Sequence, residues 1–248
     1  INFITSHDGF TLKDLLTFNR KHNFANKEKN RDGDNHNNSW NHGVEGPTTD
    51  LSIRDLRKRQ QKNLLLSLLI SKGVPMILMG DEIGRSQGGN NNSWCQNNPL
   101  GWMNWDNGQQ DLELLNYLKF LIKLRKKLLK LLNPEFLISQ QKIGNIPKYY
   151  WHGAKLDNPD WSSWSHTVAF SINKGEANPL VWAGLNAYSK NIDFCLPKSK
   201  GNWLKVVDTN VPEILEPFPI INQSINIKSR SSVLIISEEV FGTKNNIF

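Results

Sequence analysis

Apolar residues fall into two regimes along the chain, helical spacing in the first half and short β-prone runs in the second. Phe3 and Ile4 form a strand-like opening that ends at Ser6-His7-Asp8-Gly9, and Leu12, Leu15, Leu16 and Phe18 then follow at helical spacing. Residues 21–50 are dominated by Asn, Asp, Gly, Lys and His, whose short polar side chains bond the backbone locally, so a long loop is expected. Loops of this length inside a domain are commonly functional. Ser52 with Asp55 reads as a capping box, opening a helix over Ile53–Ser71 with Leu56, Leu64, Leu65, Leu68 and Leu69 on its apolar face. Gly73 ends it.

Val74–Gly80 is continuously apolar, the pattern of a strand buried on both faces, with Pro75 near its entrance and Asp81 and Glu82 at its exit. A second polar loop, 83–110, carries Trp94, Trp102 and Trp105. A helix then starts at Asp111, with Leu112, Leu115, Leu118, Ile122, Leu129 and Leu132 on its apolar stripe and a stop at Asn133-Pro134. From Phe136 the helical period disappears. Thr167–Ile172, Val181–Asn186, Trp203–Val207 and Ser232–Ser237 are separated by Gly, Pro, Asn and Asp, an all-β signature. A domain boundary is therefore expected near Asn133, with a small antiparallel sandwich after it.

Strand, polar groups at its carboxyl end, then helix is the arrangement by which β/α barrels present reacting side chains. His7 and Asp8 fit that position; Asp-Gly is equally a turn signal, and local sequence leaves both readings open.

Composition narrows the classes. The chain has 248 residues, enough for one large or two ordinary domains. Its most apolar run, Leu64–Ile70, is too short to cross a bilayer and follows Arg57, Lys58, Arg59 and Lys62. The net charge of +7 permits nucleic-acid binding, but the cations cluster on helix-like segments, where a solvated face accounts for them, and no nucleic-acid or membrane partner is expected. Cys95 and Cys195 stand far apart, so reduced thiols and a cytoplasmic setting are expected. The sequons at Asn37, Asn91 and Asn222 read as coincidences in an Asn-rich chain without a signal peptide. His42 and His7 have no clear third ligand, so neither a metal nor any other cofactor is expected. Oligomeric state is left open.

SHDGFTL, the loop KHNFANKEKNRDGDNHNNSWNHGVEGPT, SKGVPMILMGDEIGRSQGGNNNSWCQNN and GWMNWD together resemble isoamylase-type and glycogen-debranching enzymes of the α-amylase superfamily. The resemblance continues more loosely through HGAKLDNPDW, LNAY and LPKSKGNWLKVVDT. It implies an α/β plus all-β fold: 1–133 as the C-terminal part of a (β/α)8 TIM barrel, strands seven and eight with their helices and loops, and 136–240 as an antiparallel β-sandwich domain. It implies retaining hydrolysis of α-1,6 branch linkages in a branched, glycogen-like α-glucan. By the same resemblance Asp8 is the transition-state-stabilising carboxylate and His7 holds sugar hydroxyls. Arg85 either contacts a neighbouring sugar or braces its loop.

Flat indole faces suit both pyranose rings and core packing. Most of the nine tryptophans are expected in the core, with Trp40 and Trp94 the substrate-binding candidates and Trp102 beside them. The GDE segment, Gly80-Asp81-Glu82, is expected to anchor its loop rather than react. The nucleophilic Asp and acid/base Glu of the family lie on earlier strands, so the chain, which opens at Ile1, is expected to be an inactive and poorly soluble fragment. A non-catalytic glucan-binding fragment or inert remnant is the alternative. Two departures stand out: His42 where relatives often carry Cys, and Asn97 and Pro99 where they often carry Asp and Glu, which puts a branch-recognition role of this loop in doubt. The compartment implied is the cytoplasm, with a plastid as the other possibility.

Overall fold

A computed structural model of the chain describes residues 1–106, 111–132, 147–175, 178–211 and 216–240. It divides into two compact units, Ile1–Arg125 and Lys126–Phe248. The expected stop at Asn133-Pro134 and the first residues of the expected sandwich lie outside the described residues.

In the first unit the opening segment pairs in parallel with the apolar segment near residue 75 through one bridge, Asn2 to Pro75. Asn2 N donates to Val74 O at 2.8 Å, and Met76 N donates to Asn2 O at 2.8 Å. Val74–Gly80 is thus a single bridge, not the expected buried strand, and Phe3, Val74, Met76 and Met79 are all exposed. A parallel strand is buried by neighbours on both sides. Among the described residues this segment has only the Asn2 segment beside it.

One helical turn, α1 (Leu12–Leu15), follows the opening segment; Thr11 caps it, its hydroxyl accepting from Asp14 N at 3.2 Å. The second helix, α2 (Leu51–Ile70), starts two residues before the expected position. Its N-cap is Asp50, whose carboxylate accepts from the Ser52 and Ile53 amides, so Ser52 and Asp55 do not form the expected box. Leu65, Leu66, Leu68, Leu69 and Ile70 are its buried residues at the carboxyl end.

The third helix, α3 (Leu112–Leu132), buries Leu114, Leu118, Leu121, Leu124 and Leu128. The expected stripe is rotated: Leu112, Ile122 and Leu129 are exposed. Leucine on nearly every side of this helix satisfies more than one 3.6-residue register, and packing selects one. Arg125, buried within the selected stripe, donates to Leu69 O, Ser71 O and Gly73 O. It fills carbonyls that the end of α2 leaves without intrahelical partners.

Among the described residues the second unit has eight strands: β1 (Pro147–His152), β2 (Thr167–Lys174), β3 (Asn178–Asn186), β4 (Ile192–Cys195), β5 (Trp203–Asp208), β6 (Phe218–Ile220), β7 (Ser224–Ile227) and β8 (Ser231–Ser237). Six form one sheet in the order β1-β2-β3-β8-β5-β6, and β4 pairs with β7 in a second. Every pairing is antiparallel. All four β-prone runs read from the sequence lie inside observed strands. Trp182, Phe194, Trp203, Ile227, Val233 and Ile235, contributed by both sheets, form the buried core. A Cβ at Gly184 would collide with the Trp182 ring and Ile227, so glycine there lets the indole lie flat against the sheet.

Candidate active-site loops

His7, Asp8 and Gly9 form a bend at the end of the opening segment, and Gly9, at φ 130°, takes a backbone conformation that side chains disfavour. His7 Nε2 lies 3.3 Å from Asp8 Oδ2, and the two side chains are 87% and 82% exposed. A solvated pair this open is available to a ligand. Its backbone is nevertheless fixed. Gly9 N donates to Asn91 O at 3.0 Å, tying the bend to the second polar loop.

Asp81 fixes the bend from below. Its carboxylate, 2% exposed, accepts from the Thr5 hydroxyl and from Leu12 N at 2.8 Å, so one side chain holds both ends of the segment that carries His7 and Asp8. This is the anchoring expected of the GDE segment, and Glu82 adds to it by accepting from Gly80 N at 2.7 Å. Burial, with the charges of Glu82 and Asp14 nearby, pushes the Asp81 carboxyl up to about 6 from 3.8. Asp14, fully buried, accepts from Ser86 Oγ at 2.5 Å, Gln87 N at 2.7 Å and Gly89 N at 3.3 Å. Burial raises its pKa as well.

A raised folded-state pKa means that the folded chain holds the proton more tightly than the unfolded one. Asp81 therefore contributes stability that is complete below the unfolded value of 3.8 and is lost as pH rises through about 6. Asp81→Asn keeps an acceptor for Leu12 N without a charge. Relative to that variant, wild type is expected to lose up to about 3 kcal/mol between about pH 3 and about pH 7, measured by denaturant unfolding. A stability difference that stays constant across this range would show that Asp81 does not titrate with folding.

The first polar loop is ordered by side-chain bonds that composition did not reveal. Lys21, 8% exposed, points its ammonium at three carbonyls, Arg31 O, Asp32 O and Gly33 O, at 3.2, 2.6 and 3.2 Å. Asn23 exchanges bonds with Asn91. Asn26 and Asn92 both donate to Asp32 Oδ2, at 2.6 and 3.0 Å. These asparagines pin the first loop to the second. Glu45 gathers Asn19 N, Arg20 N, His22 and Asn41; burial alone would raise its carboxyl, but those bonds draw it down to about 2. Arg57 on α2 donates to Asn41 O, Val44 O and Gly46 O, bracing the stretch between Trp40 and Pro47.

Arg85 donates to Met79 O and Gly101 O, at 3.5 and 2.6 Å, and so links the two ends of its loop. Trp40 is half-exposed, its ring centroid 4.2 Å from that of His42. Trp94 is 85% exposed on the short 3-10 turn Ser93–Cys95. The expectation that most tryptophans pack in the core is wrong: only Trp182 and Trp203 are buried. Trp151, Trp161 and Trp164 are exposed on the second unit or its loops, where no described second layer covers them. Among the described residues no group of three or more His, Cys, Asp or Glu is placed to hold a metal ion. No described helix is long and apolar enough to cross a membrane.

Comparison with solved structures places the fold. A pullulanase from Bacillus acidopullulyticus aligns with a TM-score of 0.61 over 95% of this chain and 24% of its own, at 18% identity, and a Bacillus subtilis pullulanase aligns at 0.60. The fold is that of part of a pullulanase chain. By sequence the chain is isoamylase-type and corresponds to the C-terminal portion of that family of debranching enzymes: the family description "Isoamylase 1-3, C-terminal" matches residues 150–245. "Isoamylase 1, chloroplastic" from Oryza sativa subsp. japonica is 42% identical over 86% of the chain, and "Glycogen debranching enzyme" from Erwinia tasmaniensis is 40% identical over 81%. The chain spans 26% and 29% of the length of these two relatives.

Proposed function

We propose that this chain supplies the last part of a retaining glycoside hydrolase that cleaves α-1,6 branch linkages of a glycogen-like α-glucan. Residues 1–133 are the seventh and eighth strand-helix units of a (β/α)8 barrel, and 136–240 are the sandwich that follows it. The parallel bridge between Asn2 and Pro75, each segment leading on to a helix, supports the barrel reading. The observation that carries the function is the exposed His7-Asp8 pair on a bend whose two ends are held by buried Asp81.

Asp8 accepts hydroxyl protons of the sugar whose ring flattens toward an oxocarbenium ion, and His7 donates to a neighbouring hydroxyl. Bonds that strengthen as the ring flattens lower the barrier selectively. Trp40 and Trp94 offer apolar faces to sugar rings. Arg85 holds the loop between Met79 and Gly101 and contacts a neighbouring sugar. Retaining chemistry also needs a nucleophile and a proton donor roughly 5 Å apart, and these are assigned to other strands of the barrel. The compartment proposed is the cytoplasm or, as in the rice relative's name, a chloroplast.

Grafting tests the reading. Residues 1–248 replace the matching segment of the rice isoamylase, and release of linear chains from a branched glucan is measured. The graft is expected to debranch, and the isolated chain is expected to release nothing above blank. A folded graft without activity overturns the hydrolase assignment, and activity of the isolated chain overturns the placement of the other two carboxyl groups.

A further inference from the structure

Where the two polar loops meet they enclose a pocket of about 740 Å³, lined by Asn26, Glu28, Arg31, Asp32, Trp94 and Cys95. Its walls are fixed. Lys21 clamps the backbone at 31–33 through three carbonyls, and Asn26 and Asn92 hold Asp32 through Oδ2. Asp32 Oδ1 is buried with no donor, an unfilled acceptor in a tightly built wall. Trp94, by contrast, presents most of its indole to solvent.

The charges on the walls select among ligands. Glu28 and Asp32 disfavour a phosphate or other anion, and Arg31 disfavours a bare metal ion. A neutral molecule with one flat apolar face and a rim of hydroxyls meets every group present: an indole for the face, carboxylates and an amide oxygen for hydroxyl protons, a guanidinium and amide N–H groups for hydroxyl oxygens. A pyranose ring has that form.

We propose that this pocket is a glucosyl subsite apart from the His7-Asp8 pair, with one sugar of an α-glucan stacked on Trp94 and its hydroxyls bonded by Glu28, Arg31 and Asp32. The choice of α-glucan rests on the hydrolase reading above. Gly9 N, bonded to Asn91 O, ties the reacting bend to the loop that carries Trp94, so both contacts lie on one loop assembly. A chain seated in both places is held at two points, which fixes the position of the bond between them.

Cys95 at the pocket and Cys195 in the second unit are both free and exposed, which gives the test an internal reference. Alkylation of each by iodoacetamide is followed by mass spectrometry on residues 1–248 with and without maltoheptaose. Maltoheptaose is expected to slow Cys95 and leave Cys195 unchanged. Trp94→Ala and Arg31→Ala, both at exposed positions, are each expected to raise the maltoheptaose concentration giving half-protection by about tenfold. Unchanged Cys95 reactivity in wild type, or protection that persists undiminished in both variants, overturns the subsite. An active graft without protection removes the subsite alone. Protection with a folded but inactive graft removes the hydrolase reading and leaves a sugar site.

Discussion

Asp8→Asn in the grafted enzyme is expected to cut kcat for debranching by about a hundredfold to a thousandfold, the usual effect of losing one group that stabilises developing charge. Binding of the ground-state glucan is expected to change far less, because the interaction strengthens only as the ring flattens. The substitution is close to isosteric, and the side chain is 82% exposed, so folding is not at stake. An amide replaces one acceptor by a donor, which opposes a sugar hydroxyl already donating its proton. Thermal unfolding measured beside the kinetics separates the explanations. A large kcat loss with an unchanged melting temperature supports the assigned role. Full activity would remove Asp8 from the chemistry, whatever its position on the bend.

The bend was legible because its residues are adjacent in the chain, and so was the anchoring by the GDE segment. The reason that the bend holds still was not legible. Asp81 reaches back to Thr5 and Leu12 across 76 and 69 residues. Asn23 meets Asn91 across 68. Composition marks both loops as polar, but single asparagines do not announce their partners, and a side-chain network reads in one dimension as a loop without order. The density of Asn at 90–92, opposite Asn23 and Asn26, was the available signal.

Secondary structure shows the same division. The four β runs held because alternation and turn residues are local properties, whereas β4, β6 and β7 are three or four residues long and carry too few positions to show a period. The α3 stripe was misplaced because a helix with leucine on almost every side fixes no face by pattern alone. Arg125 was the residue that marked the buried side, since its long side chain caps α2 from within the stripe. The tryptophans misled for a related reason: an aromatic residue states its appetite for burial but not what will cover it.

The sandwich carries the other large effect. Trp182→Ala is expected to destabilise the second unit by about 3 to 5 kcal/mol, a large part of an ordinary domain's whole stability. Trp182 is fully buried on β3, and its ring meets Phe194 of β4 edge-on at a centroid distance of 5.9 Å. It therefore joins the six-stranded sheet to the two-stranded one. Gly184 leaves room for the indole and supplies no side chain to refill its space, so truncation leaves a cavity lined by Ile227, Val233 and Ile235. The indole Nε1 is buried without a partner, which makes the nitrogen a cost and the ring the source of stability. Trp182→Phe, which deletes that donor and keeps an aromatic ring, is accordingly expected to lose much less than Trp182→Ala. Denaturant unfolding followed through the methyl resonances of Val233 and Ile235 reads the second unit directly. Equal losses for the two variants would mean that a phenyl ring recovers none of the packing of the indole, and a loss below about 1 kcal/mol for Trp182→Ala would mean that the ring does not couple the sheets.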